Sequence, residues 1–434
     1  MKNYKWSMFT FHVNTENGVI INNTLNHGVI FLDRKTYNNV LQDRKDYQKE
    51  LKELKELLEQ EFIVPENTDE KSLFIESLLK EWNECGFLDL HILTTTGCNF
   101  KCPYCYQCGI SAEYLTEEKM RKEIEFLENY IKKNHIKETR VEITGGEPTI
   151  NWQIVEKLLP ELNKLFNKYN IKYETLIVTN GLLLTKEKVD LIAKYNWKRL
   201  QLTIDGLEAI HNKRRVNKGK ENSFKTIIKN LDYIIQNNKI DIVNLRINYD
   251  KSNVESVPKL LDFLKKRYGT EKFRISLGLI TKTVKDAEAN EFIDKYGITE
   301  EEFKKYYIKL YKELIKRGFE VSDVFSFDGM CTAKLKHGFL MQPDGKIVKC
   351  VSGVGRKEFI IGDYLKNKIT DENYLFLDIY KECLAKKCPF LPLCHTGCRF
   401  DAFIKNGDKK KICCKRDLLE EINSETLKIY YEED

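Results

Sequence analysis

Three cysteines follow one another closely after an apolar run in this sequence. Cys98, Cys102 and Cys105 are separated by three and then two residues, and the run before them ends at Leu93. Three thiolates on one short loop can bind three irons of a [4Fe–4S] cluster, which leaves the fourth iron open to a small molecule. Zinc suits this loop less well, because it favours four protein ligands or a catalytic site with a bound water. Tyr104, just before the third cysteine, would shield such a cluster from water.

The thirteen cysteines of the chain are unevenly distributed. Four lie between Cys98 and Cys108, eight lie between Cys331 and Cys414, and only Cys85 stands apart. The first residues lack the basic and apolar regions of a secretion signal, so we expect a cytoplasmic protein. Clustered cysteines in a reducing compartment indicate metal binding or catalysis rather than disulfides. Cys85 is predicted to be a buried apolar residue.

Length and charge exclude several classes of protein. A chain of 434 residues predicts two or three domains, and 42% hydrophobic residues exclude a mainly disordered chain. The 72 Lys and Arg residues exceed the 66 Asp and Glu residues by only six, which favours neither a nucleic acid nor a membrane partner. No apolar run approaches the ~18 residues that span a bilayer.

The middle of the chain alternates strand and helix patterns, which predicts a parallel α/β sheet with right-handed crossovers. Six strands are two fewer than in a closed eight-stranded barrel, so we expect a partial (β/α)6 barrel with its site at the carboxyl ends of the strands. The predicted strands are Leu88–Leu93, Arg140–Ile143, Tyr173–Val178, Arg199–Thr203, Asp241–Asn248 and Phe273–Leu279. The predicted helices are Thr116–Lys133, Trp152–Asn167, Lys186–Tyr195, Phe224–Asn237, Val257–Tyr268 and Glu300–Arg317.

Three domains are predicted: 1–87, 88–320 and 321–434. The first is a small α+β domain with a hairpin (Met8–Val13 and Val19–Asn22) and two helices, one of them Ser72–Glu84; an inert cap on the main core is the alternative. The last is expected to consist of short loops from Phe325 to Lys415, followed by a helix. Such loops have too few apolar residues for a core of their own and would need metal to fold.

The cysteine triplet and the motifs after the next strands resemble radical S-adenosylmethionine (SAM) enzymes. Gly145-Gly146-Glu147-Pro148 resembles the motif whose backbone carbonyls contact the amino group of SAM in that family. Thr179-Asn180-Gly181, Thr203-Ile204-Asp205-Gly206 and a loop with His211 and Arg215 follow the next two strands, although the family often has serine where this chain has Thr203. The resemblance implies that SAM is bound at the open iron. The cofactor-binding residues that it implies are Tyr104, Gly145, Gly146, Glu147, Pro148, Asn180, Thr203, Asp205 and Arg215, whereas Cys108 is not expected to be a ligand.

The cysteines from Cys331 onwards resemble the SPASM extension of radical SAM enzymes, which carries two auxiliary [4Fe–4S] clusters. The resemblance therefore implies three clusters in all. It assigns Cys331, Cys350 and Cys398 to the first auxiliary cluster, and Cys383, Cys388, Cys394 and either Cys413 or Cys414 to the second. Ala385 stands where the pattern has a cysteine, which leaves Cys383 as the substitute. Eight cysteines could instead hold two zinc ions.

The first auxiliary cluster lacks a fourth cysteine in this assignment. His337 lies six residues after Cys331, where some members of the family have a cysteine. It is either a ligand or a surface residue. In the second case, an unfilled iron could bind a substrate group such as a thiolate.

The family implies that a 5′-deoxyadenosyl radical removes hydrogen from a substrate. We expect a maturase that installs a thioether or carbon–carbon crosslink on a ribosomally made precursor peptide, with epimerisation also open. Its partners would be the leader sequence of that peptide, held by the N-terminal domain, and a reductant such as flavodoxin or ferredoxin. An anaerobic sulfatase-maturating (formylglycine-forming) enzyme is the first alternative, although Val351 stands where those enzymes have an acidic base after Cys350. A zinc-stabilised binding protein without catalysis is the second.

Two basic or titratable features near the SAM motifs have two interpretations each. Lys213, Arg214 and Arg215, with Lys218 and Lys220, either attract an acidic leader or form a solvated loop. His211 either contacts SAM or substrate or braces its loop. No catalytic side chain is predicted beyond the cluster ligands.

Overall fold

The computed structural model describes residues 4–41, 51–219, 221–280, 287–321, 331–370 and 375–432. The chain divides into two compact units. Unit 1 comprises Met1–Glu84 and Phe376–Asp434, and unit 2 comprises Cys85–Val324 and Gly329–Leu375. No helix within the described ranges is both long enough and apolar enough to cross a membrane.

The N-terminal segment of unit 1 contains two small antiparallel sheets and three helices. One sheet has the order β2-β3-β4 and the other pairs β1 with β5. Val19 and Ile21 of β3 share a core with Leu57 and Phe62, whereas Ile20 lies on the opposite face because side chains alternate along a strand. The elements are β1 (Tyr4–Trp6), β2 (Thr10–Asn14), β3 (Gly18–Asn23), β4 (Gly28–Asp33), α1 (Arg34–Leu41), α2 (Leu51–Glu59), β5 (Ile63–Pro65) and α3 (Glu70–Glu84). The predicted hairpin and the helix before residue 85 are both present.

Unit 2 contains a sheet whose strands alternate with helices, and this confirms the predicted α/β class. Its first elements are β6 (Phe87–Thr95), α4 (Glu117–Asn134), β7 (Glu138–Gly145), α5 (Trp152–Lys168), β8 (Lys172–Thr179), α6 (Lys186–Ile192), β9 (Trp197–Thr203), α7 (Glu208–Arg214) and α8 (Ser223–Gln236). They are followed by β10 (Ile242–Tyr249), α9 (Val257–Tyr268), β11 (Phe273–Leu279), α10 (Ala287–Tyr296), α11 (Glu300–Ile315) and β12 (Glu320–Val321). Strands β6 to β12 are parallel neighbours in chain order.

The two faces of this sheet differ in polarity. Parallel strands that are covered on both faces read as continuous apolar runs. In β10, Leu245 and Ile247 are fully buried, whereas Asn244 and Arg246 between them are half-buried. Helices therefore cover one face, and the other, which we call the inner face, presents polar side chains that solvent can reach.

Residues 338–369 form strands rather than the short loops predicted for this region. The strands are β13 (Gly338–Met341), β14 (Lys346–Val348), β15 (Ile360–Asp363) and β16 (Lys368–Ile369). Strand β13 lies parallel to β6, and the last three strands continue the sheet antiparallel, giving eleven strands in the order β12-β11-β10-β9-β8-β7-β6-β13-β14-β15-β16. Phe339, Leu340 and Met341 are almost fully buried. The expectation of short loops without an apolar core was wrong here, because this segment shares the core of the main sheet, whereas its need for metal stays a prediction.

The C-terminal segment of unit 1 contains four helices that surround the later cysteines. They are α12 (Leu377–Ala385), α13 (Leu391–Cys394), α14 (Arg399–Asn406) and α15 (Arg416–Glu432). Phe11 and Ile20 of the three-stranded sheet form one core with Phe390 and Leu419, and the rings of Phe11 and Phe390 are 4.8 Å apart. The compact units thus group residues differently from the three predicted domains, whose boundaries stay a prediction.

Candidate active site

The loop that carries Cys98, Cys102 and Cys105 follows β6 and lies at the carboxyl edge of the sheet. Backbone hydrogen bonds attach it to the loop after β9: the amide of Lys101 donates to the carbonyl of Val216 (2.7 Å), and the amide of Lys218 donates to that of Asn99 (3.0 Å). The Lys218 ammonium also donates to the carbonyl of Cys98 (2.8 Å). Two strand ends thus fix the backbone from which the first thiol projects.

The three thiols are neighbours in a largely buried pocket. Burial raises the pKa of Cys102 to about 12, with the positive charge of Arg215 opposing this and the charges of Cys105 and Cys98 adding to it. Burial likewise raises the pKa of Cys98 and of Cys105. Three buried thiolates are costly without a bound cation, and metal binding supplies the charge that deprotonates them. The donor set therefore fits an iron–sulfur cluster.

Within the described ranges, no group of three or more His, Cys, Asp or Glu side chains is placed to hold one metal ion. In a [4Fe–4S] cluster each cysteine binds its own iron, so its thiols stand farther apart than the ligands of one ion.

The two glycines after β7 lie directly against the backbone that leads to Cys98. A Cβ on Gly146 would lie 2.2 Å from the carbonyl oxygen of Gly97, and Gly145 has a φ of +145° with the carbonyl of Thr95 only 2.1 Å from where its Cβ would be. The amides of Gly146 and Glu147 donate to the carbonyls of Thr95 and Gly97, both at 2.9 Å. Glycine is required at both positions because any side chain would push the cysteine loop away.

The buried side chain of Glu147 links the ends of neighbouring strands through hydrogen bonds. Its carboxylate accepts hydrogen bonds from the amide (3.0 Å) and hydroxyl (2.6 Å) of Thr149, from the hydroxyl of Thr179 (2.7 Å) and from the amide of Asn180 (2.7 Å). The side-chain amide of Asn180 then donates to Asn99 in the cysteine loop (2.7 Å). The carboxylate of Glu147 is thus occupied, and the contact of this motif with a cofactor stays a prediction for its backbone. Pro148 is buried and begins the short helical turn behind it.

Tyr104, Asp205 and Arg215, three of the predicted cofactor-binding residues, contact one another. The Tyr104 hydroxyl donates to the Asp205 carboxylate, and Arg215 donates to the Tyr104 oxygen at 3.1 Å. The Nε atom of Arg215 is buried and has no hydrogen-bond partner among the described residues. An unsatisfied guanidinium N–H suits an anionic group such as the carboxylate of SAM. Thr203, buried at the end of β9, completes the set of predicted residues at this edge.

The basic run 213–215 is not the solvated loop that was one of its two interpretations. Arg214 and Arg215 are buried, and Arg214 pairs with Asp250 at 2.7 Å and stacks 5.1 Å above the ring of Tyr104. Lys213 and Lys218 are exposed, and Lys220 lies outside the described residues. Sequence reasoning missed Arg214 and Asp250 because it did not predict α7, which turns the run inwards. The available signal was Asp250, an acidic residue directly after a strand.

His211 is fully buried against Phe224, with ring centroids 5.9 Å apart. Burial lowers its pKa well below the usual value, so the ring is neutral. Neither ring nitrogen has a hydrogen-bond partner among the residues described. Both predicted roles, contact with SAM or substrate and support of the loop, stay open.

Cys331 and Cys350 both lie in unit 2, and Lys349 ties their segments together. Its buried ammonium donates to the carbonyls of Leu335 (2.7 Å) and Gly338 (2.8 Å), a few residues after Cys331. Cys398, predicted for the same cluster, lies in unit 1, where its thiol accepts a hydrogen bond from the Asp401 amide at the start of α14.

His337 is a buried residue, so its interpretation as a surface residue was wrong. Its Nδ1 lies 2.8 Å from the Tyr130 hydroxyl, and the ring also interacts with the backbone of Cys85. These contacts occupy the imidazole, which argues against a role as metal ligand. Cys85 itself is half-buried and donates to the Phe87 carbonyl at 3.4 Å, rather than being a fully buried apolar residue.

Four thiols of the C-terminal segment are neighbours within unit 1. Burial raises the pKa of Cys383 to about 12, and the charges of Cys388, Cys394 and Cys414 add to this effect. Burial also raises the pKa of Cys413, and the charges that act on it most strongly are those of Lys415, Asp401, Lys405 and Arg399. The environment of Cys383 thus contains Cys414.

Comparisons with known proteins agree with this geometry. Residues 92–264 match the family model described as the radical SAM superfamily. The chain is 27% identical over 220 residues to the radical SAM cyclopropyl synthase TigE of Paramaledivibacter caminithermalis, covering 48% of this chain and 44% of that protein. It is 22% identical over 358 residues to a cysteine-type anaerobic sulfatase-maturating enzyme of Clostridium novyi, covering 74% of this chain and 90% of that enzyme. The chain thus spans less than half the length of the first of these relatives.

A solved structure shares the fold. Streptococcus suis SuiB bound to S-adenosylmethionine superposes with a TM-score of 0.55 at 18% identity, covering 94% of this chain and 99% of SuiB, and SuiB has also been solved with the precursor peptide SuiA. The chain is an α/β protein with a mostly parallel sheet and a cysteine loop at its carboxyl edge. More narrowly, the chain carries a radical SAM domain, which implies a [4Fe–4S] cluster and SAM.

Proposed function

We propose that this chain is a radical SAM maturase that installs a thioether or carbon–carbon crosslink on a ribosomally made precursor peptide. The observation that carries the proposal is the placement of three neighbouring thiols at the carboxyl edge of a sheet whose inner face is polar and accessible. Relatives that include a cyclopropyl synthase and a sulfatase-maturating enzyme support a substrate of the peptide or protein class.

The residues of unit 2 that would hold the cofactors have distinct tasks. Cys98, Cys102 and Cys105 would hold the cluster, and the free Nε of Arg215 would bind the carboxylate of SAM. When bound and reduced by one electron, the cluster and SAM supply a 5′-deoxyadenosyl radical. Tyr104, fixed by Asp205 and Arg215, would keep water from this pocket.

The later cysteines would hold two auxiliary [4Fe–4S] clusters of a SPASM domain. Cys331, Cys350 and Cys398 form the proposed first set. The common environment of Cys383, Cys388, Cys394 and Cys414 supports these four as the second set. Cys414→Ala is then expected to lower the iron content by one cluster, with Cys413→Ala as the matched control that retains it.

Unit 1 offers a docking surface for the leader of the precursor. Strand β4 lies at one edge of its three-stranded sheet, where an extended peptide can add as a further strand. A cavity of about 410 Å³ in the same unit is lined by four basic side chains, and its two acidic ones already accept hydrogen bonds. The basic residues are Lys5, Lys71, Lys387 and Arg416. We therefore propose an acidic leader.

The decisive experiment is cleavage of SAM by anaerobically reconstituted protein with dithionite as reductant. We expect 5′-deoxyadenosine from the wild type and none from the variant with Cys98, Cys102 and Cys105 all replaced by Ala, which should keep its auxiliary iron. Peptides encoded next to this chain are the substrates to test, and a crosslink appears in mass spectrometry as the loss of two hydrogen atoms. Cleavage of SAM by the triple variant, or zinc as the bound metal in colourless protein, would contradict the proposal.

A sulfatase-maturating activity is the second candidate. The match that covers 90% of the Clostridium novyi enzyme favours it, and Val351 in place of an acidic residue after Cys350 opposes it. Incubation with a sulfatase-derived peptide that contains the target cysteine distinguishes the two functions. Conversion of that cysteine to an aldehyde would replace the crosslinking proposal.

A further inference from the structure

Three ionisable side chains of the inner face form a continuous group between β6 and β7. His91 Nδ1 lies 3.0 Å from Glu142 Oε1, and His91 Nε2 lies 3.4 Å from Asp89 Oδ2 and 3.1 Å from the Thr332 hydroxyl. Thr332 donates in turn to Asp89, whose other oxygen accepts from Arg140 at 2.9 Å. Each imidazole nitrogen of His91 thus lies at ion-pair distance from one carboxylate, although the contact of Nδ1 with Glu142 lacks hydrogen-bond geometry.

Only one end of this group can be reached from the inner face. The side chains of Asp89 and His91 are 0% and 6% exposed, whereas that of Glu142 is 16% exposed. Burial opposes a charge on His91, but the charges of Glu142 and Asp89 outweigh it and raise its pKa to about 10. At neutral pH, the accessible side chain of Glu142 therefore lies beside the positive charge of His91.

Glu142 lies close to the edge where the cysteine loop begins. It precedes Gly145 by three residues on β7, which corresponds to roughly 10 Å along an extended strand. Its charge also acts on Tyr106, the residue that follows Cys105. Glu142 is thus an acidic side chain of the inner face near the edge that carries the cysteine loop.

The proposed chemistry requires a base that the sequence did not identify. When a C–H and an X–H bond are replaced by one C–X bond, one hydrogen atom goes to the 5′-deoxyadenosyl radical. The remaining proton and electron must also leave the substrate. Val351 cannot take the proton, and the residue on the other side of Cys350 is Lys349.

We propose that Glu142 is the catalytic residue that accepts this proton, and that His91 and Asp89 are positioning residues that hold it. This inference rests on the proposed function. The substrate X–H bond breaks, its proton passes to the Glu142 carboxylate, the C–X bond forms, and the electron passes to an oxidised iron–sulfur cluster. The same proton transfer serves a substrate thiol in either candidate reaction, because formation of an aldehyde from cysteine also begins with loss of one hydrogen atom and one proton.

The test compares Glu142→Gln with Glu138→Gln, an exposed glutamate on the same strand. In holoenzyme with the peptide substrate, Glu142→Gln should reduce product formation by about 10²–10⁴-fold, the usual contribution of a general base. It should leave 5′-deoxyadenosine formation, deuterium transfer from a deuterated peptide and peptide affinity, measured by fluorescence anisotropy, within a few fold. Glu138→Gln should change none of these quantities. Product formation by Glu142→Gln within a few fold of the wild type would overturn the inference.

Three further variants distinguish proton transfer by Glu142 from a role in supporting the fold. If His91 acts through Glu142, His91→Gln reduces product formation, but the double variant is no slower than Glu142→Gln alone. Glu142→Asp, which keeps the carboxylate, should recover part of the rate. Additive losses in the double variant, or no recovery with Asp, would show a structural role and overturn the proposal. Wild-type enzyme that cleaves SAM but never alters a peptide would instead refute the proposed function and this inference with it.

Discussion

Charged side chains near the candidate site are mostly engaged with one another. Arg214 pairs with Asp250, Glu147 accepts four hydrogen bonds, and Asp205 accepts from Tyr104. The group of His91 with Glu142 and Asp89 follows the same rule, since a buried charge is stable only when it is paired. The Nε atom of Arg215 departs from this rule and therefore indicates a ligand.

The raised pKa of His91 predicts a specific dependence of stability on pH. Its pKa rises from 6.5 to about 10 in the folded chain, so the stabilisation from its charged form is complete below pH 6.5 and is lost as the pH rises through 10. We expect the difference in the free energy of unfolding between wild type and His91→Gln, measured with urea, to shrink from pH 7 to pH 10. A difference that stays constant over this range would mean that His91 is neutral in the folded chain.

At the scale of secondary-structure elements, the predicted cofactor motifs are positioned by contacts between the ends of neighbouring strands. The end of β7 lies on the segment Thr95–Gly97, and the end of β8 reaches the cysteine loop through Asn180. Because neighbouring parallel strands end at one edge, three motifs far apart in sequence become one site. Side chains alternate between the two faces along β7, and Glu142 lies on the inner face.

Gly146→Ala tests this close packing. Its Cβ would meet backbone atoms of Gly97, so we expect a loss of stability of about 1–3 kcal/mol, as for overpacked positions. We also expect a fall in iron bound at the triplet and in SAM cleavage, because the loop must shift. Gly219→Ala is the matched control, since the nearest atom to its Cβ would lie at 3.6 Å. Equal iron content and cleavage in the two variants would rule out the steric role of Gly146.

On the scale of the whole molecule, the two ends of the chain belong to one compact unit. The C-terminal cysteine segment belongs to the same compact unit as the N-terminal sheet, and Cys388 and Cys394 pack at the edge of the core formed by Phe11, Val13 and Phe390. A hydrophobic core of unit 1 thus supports the segment that we propose to hold the second auxiliary cluster. Folding of the N-terminal sheet and binding of iron should be coupled.

Phe11→Ala tests this coupling. Removing a buried phenylalanine costs about 3–5 kcal/mol, so we expect a lower melting temperature and the loss of iron from the second auxiliary set. Cleavage of SAM should persist, because the triplet lies in unit 2. Leu73→Ala on α3 is the control, since Leu73 is 55% exposed and its truncation should have little effect. Full iron content in Phe11→Ala would show that the second auxiliary set binds iron independently of the three-stranded sheet.

The sequence by itself determined the elements and the cysteine triplet. Period and spacing are local properties, so the six strands and the helices between them were found within a few residues, and the triplet and glycine motif were correctly placed after successive strands. Strands β13 to β16 were not predicted, because they have few apolar residues and are stable only when packed on the core of another segment. The burial of Arg214, the occupied imidazole of His337, the group around Glu142 and the proximity of Cys414 to Cys383 were decided only by the tertiary structure. Each depends on contacts between residues distant in sequence, and local patterns carry no information about such contacts.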